Sequence, residues 1–278
     1  MREIASTKII ETVAALFESA AYDLPQEVED SINHALAHEK SPLGRQIIRE
    51  ILKNAEIARQ KKLPICQDTG MAVVFIAMGQ QTFVVGGNLH DAVNDGVKEA
   101  YKNLRKSMVS DPFKRENTKD NLPASIHVEI VPGDTFKIIV LPKGGGAENA
   151  SFQKMFLPTT SREVIEDYIV GVVKENGTKA CPPLILGVGI GGAFDSVATL
   201  AKKSLLRPIS SHSTNHENAA MEKALLLKIN NLGLGPMGVG GTTTALAVHV
   251  ESAPCHIASL PVAVNFQCHA HRYKEAIL

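Results

Sequence analysis

The hydrophobic period changes near residue 62, and that change bounds what this chain can fold into. Before it, apolar residues recur at helical spacing. Ile9, Ile10, Val13, Leu16 and Phe17 follow Thr7, a residue able to cap a helix. Pro25 opens a second helical segment that runs through His38. Pro42 opens a third, with Ile47, Ile48, Ile51, Leu52 and Ile57 on one stripe. After it, residues 71–78 form a short continuous apolar run, which suits a buried strand. Residues 91–108 read as helix again. Residues 125–131 and 136–141 read as two strands joined by Pro132-Gly133-Asp134 in a hairpin turn. Ser161 is placed to cap the next helix. Residues 184–190 suit a strand, 193–206 and 218–231 helices, and 244–250 and 258–266 late strands. The pattern predicts an α/β fold in a single domain: a helical N-terminal region over about residues 1–62, then a mixed α+β body over about residues 63–278, with strands and helices around a site.

Composition narrows the function. The formal net charge is zero, so nothing in the charge balance draws the chain to nucleic acid or to an anionic membrane. No apolar run reaches transmembrane length, and Met1-Arg2-Glu3-Ile4 lacks the apolar core of a secretory signal. The expectation is a cytoplasmic protein whose thiols stay reduced. Four cysteines are too few for a disulfide framework in so long a chain, which leaves metal binding, catalysis or plain burial.

Three of the four cysteines sit in runs without an obvious packing purpose. Cys66 lies in Pro64-Ile65-Cys66-Gln67-Asp68-Thr69-Gly70, a polar run ending in a turn former. Cys181 precedes Pro182 and Pro183, so its backbone is expected to be held extended and its position fixed. Cys268 precedes His269, His271 and Arg272. Cys255 fits a small buried hydrophobe as well as anything else. Three thiolates from distant loops can hold a [4Fe–4S] cluster and leave one iron without a protein ligand, a Lewis acid for a substrate oxygen. Zinc is the rival metal, with His256, His269 and His271 as added ligands, although closely spaced ligand pairs are absent.

Glycines bunch in three places, at Gly144-Gly145-Gly146, from Gly187 to Gly192, and from Gly233 to Gly241. The second matches GxGxxG after an apolar run and before a helical one, the context of a dinucleotide fingerprint. No acidic residue closes a strand some twenty residues on, so a tight strand-to-helix turn facing a cavity is the better reading. The first cluster, Lys143 to Asn149, is a candidate anion cradle without the P-loop spacing. Arg105 near a helix end is either an exposed charge or a fork for a carboxylate.

The ordered set PICQDTG, NLR, NLPA, KGGGAEN, ACPP, LGVGIGG, GLGPMGVGGTTTA, HIASLPVAV and the late Cys268 resembles the N-terminal part of class I fumarases and the α subunit of L-tartrate dehydratase. The resemblance runs from about residue 5 to the C-terminus. It implies a hydro-lyase with a [4Fe–4S] cluster, one iron of which has no protein ligand, held by Cys66, Cys181 and Cys268. It puts Gln67, Arg105 and Gly146 against a dicarboxylate substrate, with Asp68 and His256 assisting proton transfer. Malate to fumarate is the reaction expected first, and dehydration of tartrate is the alternative. Single-chain members continue into a further domain that carries a catalytic Thr, whereas this chain stops at Leu278. The resemblance therefore implies a separate β subunit that supplies the base, in a hetero-oligomer or, for the isolated chain, an α homodimer.

Overall fold

The computed structural model describes all residues, Met1–Leu278. The elements in order are β1 (Arg2–Ala5), α1 (Ser6–Tyr22), α2 (Gln26–His38), α3 (Pro42–Lys61), β2 (Met71–Gly79), β3 (Thr82–Val85), α4 (Leu89–Ala100), β4 (Ser125–Val131), β5 (Phe136–Lys143), α5 (Gly145–Asn149), β6 (Phe152–Phe156), α6 (Arg162–Asn176), β7 (Leu184–Gly191), α7 (Ser196–Ser204), α8 (His216–Asn230), β8 (Ala245–Ala253), β9 (Leu260–Gln267) and β10 (Lys274–Ile277). Short 3₁₀ turns occupy Gly177–Ala180 and Pro236–Gly238. This is an α/β chain with mixed sheets. Its residues gather into two compact units. One holds Met1–Pro25, Ala55–Gly145 and Arg272–Leu278; the other holds Gln26–Asn54 and Gly146–His271.

In the first unit a four-stranded sheet runs in the order β10-β5-β2-β4, and β1 pairs in parallel with β3. The apolar run at β2 takes the centre of the sheet, as a strand buried on both faces should. It pairs antiparallel with β5 and parallel with β4. The expected hairpin between β4 and β5 therefore does not form. The two strands splay and admit β2 between them, and the turn at Gly133 is closed from outside: Gln81 N–H donates to Gly133 O at 3.0 Å. Gly79 is required there, because a Cβ would lie 2.4 Å from Gly133 O. One face of the sheet carries Val74, Ile76, Ile138 and Val140 against Ile9, Val13 and Phe17 of α1 and Val93 and Val97 of α4. The helix α1 begins at Ser6, flanked by Ala5, so Thr7 does not cap it.

The second unit is built on the sheet β6-β9-β7-β8, in which β7 runs parallel to β8 and antiparallel to β9. Helices cover both faces. Leu184, Leu186 and Val188 face Ile169, Val173, Leu225 and Ile229 of α6 and α8. On the opposite face Val197 and Ala201 of α7 meet Ala263, while Ile185 and Ala247 meet Leu205. The helix α3 begins at Pro42, as its N-terminal proline predicts. Its buried stripe is Gly44, Ile48, Ile51, Ala55 and Ala58, and Ile57 points outward.

Candidate active site

The first unit gathers a polar loop between α3 and β2. The backbone of Thr69 and Gly70 is tied down from several sides. The Tyr101 hydroxyl donates to Thr69 O at 2.9 Å and Gly70 O at 3.1 Å. Asn121 Nδ2 donates to Gly70 O at 3.2 Å, while its Oδ1 accepts the Ser107 N–H at 2.7 Å. Arg272 is buried, and its Nη2 donates to Asp68 O. Gly70 has φ +83°, and a Cβ on it would lie 2.7 Å from Lys143 N. Burial pushes the Tyr101 phenol far above its ordinary value of 10, against the pull of Arg272, so it stays a donor.

That frame presents two of the expected substrate residues together. Arg105 and Gln67 are both exposed, and Arg105 Nη1 donates to Gln67 Oε1 at 3.4 Å. Arg105 is not at a helix end. The helix α4 stops at Ala100, Tyr101 turns inward, and the Thr69 hydroxyl donates to Arg105 O in the loop that follows. Asp68 is engaged within its own unit. Its Oδ2 accepts the Gly145 N–H at 2.7 Å and its Oδ1 the Gly70 N–H at 3.0 Å. The glycine cluster at 144–146 thus gives one of its amides to a carboxylate of this chain.

In the second unit, Gly146 approaches the turn that leads to Cys181. A Cβ on Gly146 would lie 2.9 Å from Lys179 O. Cys181 itself is not extended as the following prolines suggest but left-handed, with φ 55° and ψ 72°. Its carbonyl accepts both the backbone N–H and the Nδ1 of His269, at 3.3 and 3.0 Å, so the residue after Cys268 is bonded to Cys181. None of the four cysteines is in a disulfide; Cys66, Cys181 and Cys268 are partly buried, and Cys255 is exposed with its thiol on Ser259 O. Within either unit, no three His, Cys, Asp or Glu side chains form a ready metal-binding group. His256 sits in the exposed loop between β8 and β9. The Ala258 N–H donates to its Nδ1 at 3.1 Å, so the neutral ring carries its proton on Nε2. His271 is buried with Nε2 on Leu205 O.

The GxGxxG run does not make a phosphate loop. Gly187 and Gly189 lie inside β7, and a Cβ at Gly187 would stand 2.1 Å from Ala201 O. A Cβ at Gly189 would stand 2.5 Å from Val197 O. These glycines let α7 lie directly on the strand. Only Gly191 and Gly192, with φ +85° and +75°, belong to the turn.

The motif order, the tied-down PICQDTG loop and the bond between the two late cysteine segments direct attention to one family. The model of the family described as fumarate hydratase (Fumerase) matches residues 10–277. The chain belongs to the fumarate hydratase (Fumerase) family. A Methanocaldococcus jannaschii protein, provisionally named subunit alpha of an L(+)-tartrate dehydratase, is 39% identical over 276 residues, covering 95% of each chain. The L(+)-tartrate dehydratase subunit alpha of Escherichia coli strain UTI89 is 32% identical, covering 98% of this chain and 91% of its own length. That of strain K12 is 31% identical over the same span. As a member of the fumarate hydratase family the chain is a hydro-lyase. No helix is long and apolar enough to cross a membrane.

Sequence reasoning passed over Tyr101, Asn121 and Arg272 as site-building residues, and Glu39 altogether. Asn121 stands in the NLPA motif, and its positive φ of 67° is the kind of backbone that Asn tolerates. Tyr101 is one of four tyrosines and stands just past the last residue of α4. Neither signal says which backbone atoms the side chain will reach.

Proposed function

We propose that this chain is the α subunit of a dehydratase acting on L(+)-tartrate, paired with a separate β subunit. The observation that carries the reading is the near full-length match to chains named as alpha subunits of L(+)-tartrate dehydratase. The malate-to-fumarate reaction expected first rests on the family description alone, and tartrate is the better-supported substrate. Loss of water from tartrate gives an enol diacid, which tautomerises to a 2-oxo diacid.

Cys66, Cys181 and Cys268 are the residues that would hold a [4Fe–4S] cluster. Three partly buried cysteines outside any disulfide suit that soft-ligand centre, and the exposed Cys255 stands apart from the set. When bound, such a cluster supplies an iron with an open position, a Lewis acid for the departing hydroxyl. Arg105 binds one substrate carboxylate through a charge-assisted fork, with Gln67 steadying the guanidinium. Backbone amides near Gly146 hold the substrate's carboxylate oxygens, and the missing side chain of Gly146 lets its backbone lie against Lys179 O. Asp68 holds the loop in shape through Gly70 and Gly145, and it assists proton movement only from that bound position. His256 offers the Nε2–H of its neutral ring as a donor toward the leaving oxygen. The base that takes the C3 proton belongs to the β subunit.

The test is a substrate comparison with the anaerobically assembled α–β complex. Formation of 2-oxo acid from L(+)-tartrate should exceed dehydration of (S)-malate in kcat/KM, and the α chain alone should turn over neither at a comparable rate. Turnover of malate without tartrate would overturn the substrate. Full activity of the α chain alone would overturn the subunit assignment.

A further inference from the structure

A buried carboxylate stands where α2 meets α3, outside the set of candidate site residues. Glu39 is 3% exposed. Its oxygens accept the Ser41 N–H at 2.8 Å, the Thr242 N–H at 2.9 and 3.0 Å, and the Thr243 N–H at 2.8 Å. The Thr242 hydroxyl donates to it at 3.2 Å. Three backbone amides and a hydroxyl converge on one carboxylate, which gives a tightly bonded anion in a buried place. Burial alone would raise its pKa; the amide bonds outweigh that and hold the carboxyl below its ordinary value of 4.5. The approach depends on Gly241, whose φ is +143° and whose Cβ, if present, would lie 2.7 Å from Glu39 Oε1.

The loop that Glu39 grips runs over residues 235–244. It is closed on itself by Gly240 N–H to Leu234 O at 2.8 Å and Gly235 N–H to Thr244 Oγ1 at 3.2 Å. From there it reaches both flanks of Cys181. On the C-terminal side, Met237 N–H donates to Pro182 O at 2.8 Å, and Leu184 N–H donates to Thr244 O at 2.9 Å. On the N-terminal side, Gly238 lies so close to Thr178 that a Cβ would come within 2.9 Å of Thr178 Cγ2. Cys181 between them has φ 55°, a backbone state that a non-glycine residue keeps only when its surroundings impose it.

We propose that Glu39 is a positioning residue for Cys181: it fixes the loop over residues 235–244, and that loop holds the strained segment around Cys181 in the orientation a metal ligand needs. The proposal deepens the reading of Cys181 as a cluster ligand and rests on it. Glu39 touches neither substrate nor cluster, so its role differs from that of a catalytic residue. Its removal should act on one cysteine in preference to the others.

The full-length chain, prepared metal-free under reducing anaerobic conditions, allows that selectivity to be read directly. Alkylation of each cysteine by iodoacetamide is timed by peptide mass spectrometry in wild type, Glu39→Gln and Thr242→Val. Gln keeps the size of Glu but sets an NH₂ group against amide donors. Thr242→Val removes the hydroxyl, with its bond to Glu39 and the one it accepts from the Lys40 N–H at 3.3 Å, but keeps the backbone amides on Glu39, and is the milder change should the first fail to fold. Release of the loop should raise Cys181 alkylation roughly fivefold or more in Glu39→Gln, by local opening, while Cys66 and Cys255 keep their rates. A smaller rise confined to Cys181 should follow in Thr242→Val. In parallel, the reconstituted Glu39→Gln chain should lose iron in air faster than wild type, with an altered paramagnetic spectrum of the oxidised cluster. Unchanged Cys181 rates in both variants would overturn the proposal, and so would a uniform rise at all four cysteines, which marks general loosening. Failure of wild type to take up iron would instead sink the cluster reading, while a Cys181-selective response would still uphold the positioning role.

Discussion

Gly187→Ala isolates the packing role of the GxGxxG run from any nucleotide role. The added Cβ would stand 2.1 Å from Ala201 O and 2.6 Å from Ser204 Oγ, both inside the 3.0 Å below which Cβ atoms do not come, the first by nearly an ångström. The obstacle at Ala201 is backbone, so α7 must retreat from β7. That retreat loosens Val197 and Ala201 against Ala263 and Leu205 against Ile185 and Ala247. Overpacking of this kind costs about 1–3 kcal/mol, and the loss of neighbouring contacts carries the estimate to the upper part of that range. Gly171→Ala is the control: it lies inside α6 with nothing within 4 Å of its Cβ position, so it should stabilise by about 0.5–1 kcal/mol through helix propensity. Urea and thermal unfolding of both variants should therefore move in opposite directions, with the Gly187→Ala midpoint several degrees below wild type. Titration with NAD should show no binding in either protein. Equal stability of Gly187→Ala and wild type, or NAD affinity lost on substitution, would refute this account of the run.

Arg105→Lys keeps the charge but loses the fork, so kcat/KM should fall about ten- to a hundredfold while iron content holds, as steady-state assays and iron analysis of the same sample will show. Glu222 is 2% exposed and bonded to Arg207, with the Val250 and Ser213 amides; burial would raise its pKa, but those bonds hold it below its ordinary 4.5. Its contribution to stability is therefore complete above about pH 4.5 and is lost as the pH falls through the lowered folded value. Glu222→Gln should cost about 3–5 kcal/mol at neutral pH and flatten the acid limb of the stability profile, measured by urea unfolding across pH. His256→Phe removes the donor from an exposed loop, so it should depress kcat with little change in Tm, and differential scanning fluorimetry beside the rate assay separates the two.

Most of the secondary structure was legible because the pattern and the punctuation agree. Pro42 marks the start of α3, and the apolar runs at 71–79 and 184–191 are the central strands of their sheets. Pairing was not legible. Pro132-Gly133-Asp134 is a good turn, and nothing local reveals that β2 will enter between the strands it joins. The edges β1, β3, β6 and β10 are four or five residues long, too short to show a period. Arg105 and Gln67 were marked by motif, and the structure places them 3.4 Å apart. The supports beneath them, Tyr101, Asn121 and Arg272, act through bonds to backbone carbonyls. Such bonds depend on where the chain passes, which side-chain type alone does not reveal. Glu39 stayed hidden for the same reason: beyond the neighbouring Ser41, its amide partners Thr242 and Thr243 lie 203 and 204 positions away.

The central claim is a cluster held by Cys66, Cys181 and Cys268 with Cys255 outside the set. Iron and acid-labile sulfide per chain, measured after anaerobic reconstitution of wild type and the four single Cys→Ser variants, test it most directly. The account predicts about four of each in wild type and in Cys255→Ser, with loss of most of both in the other three. Colourless wild-type protein without sulfide, or a Cys255→Ser chain that loses its iron while Cys268→Ser keeps it, would contradict the account.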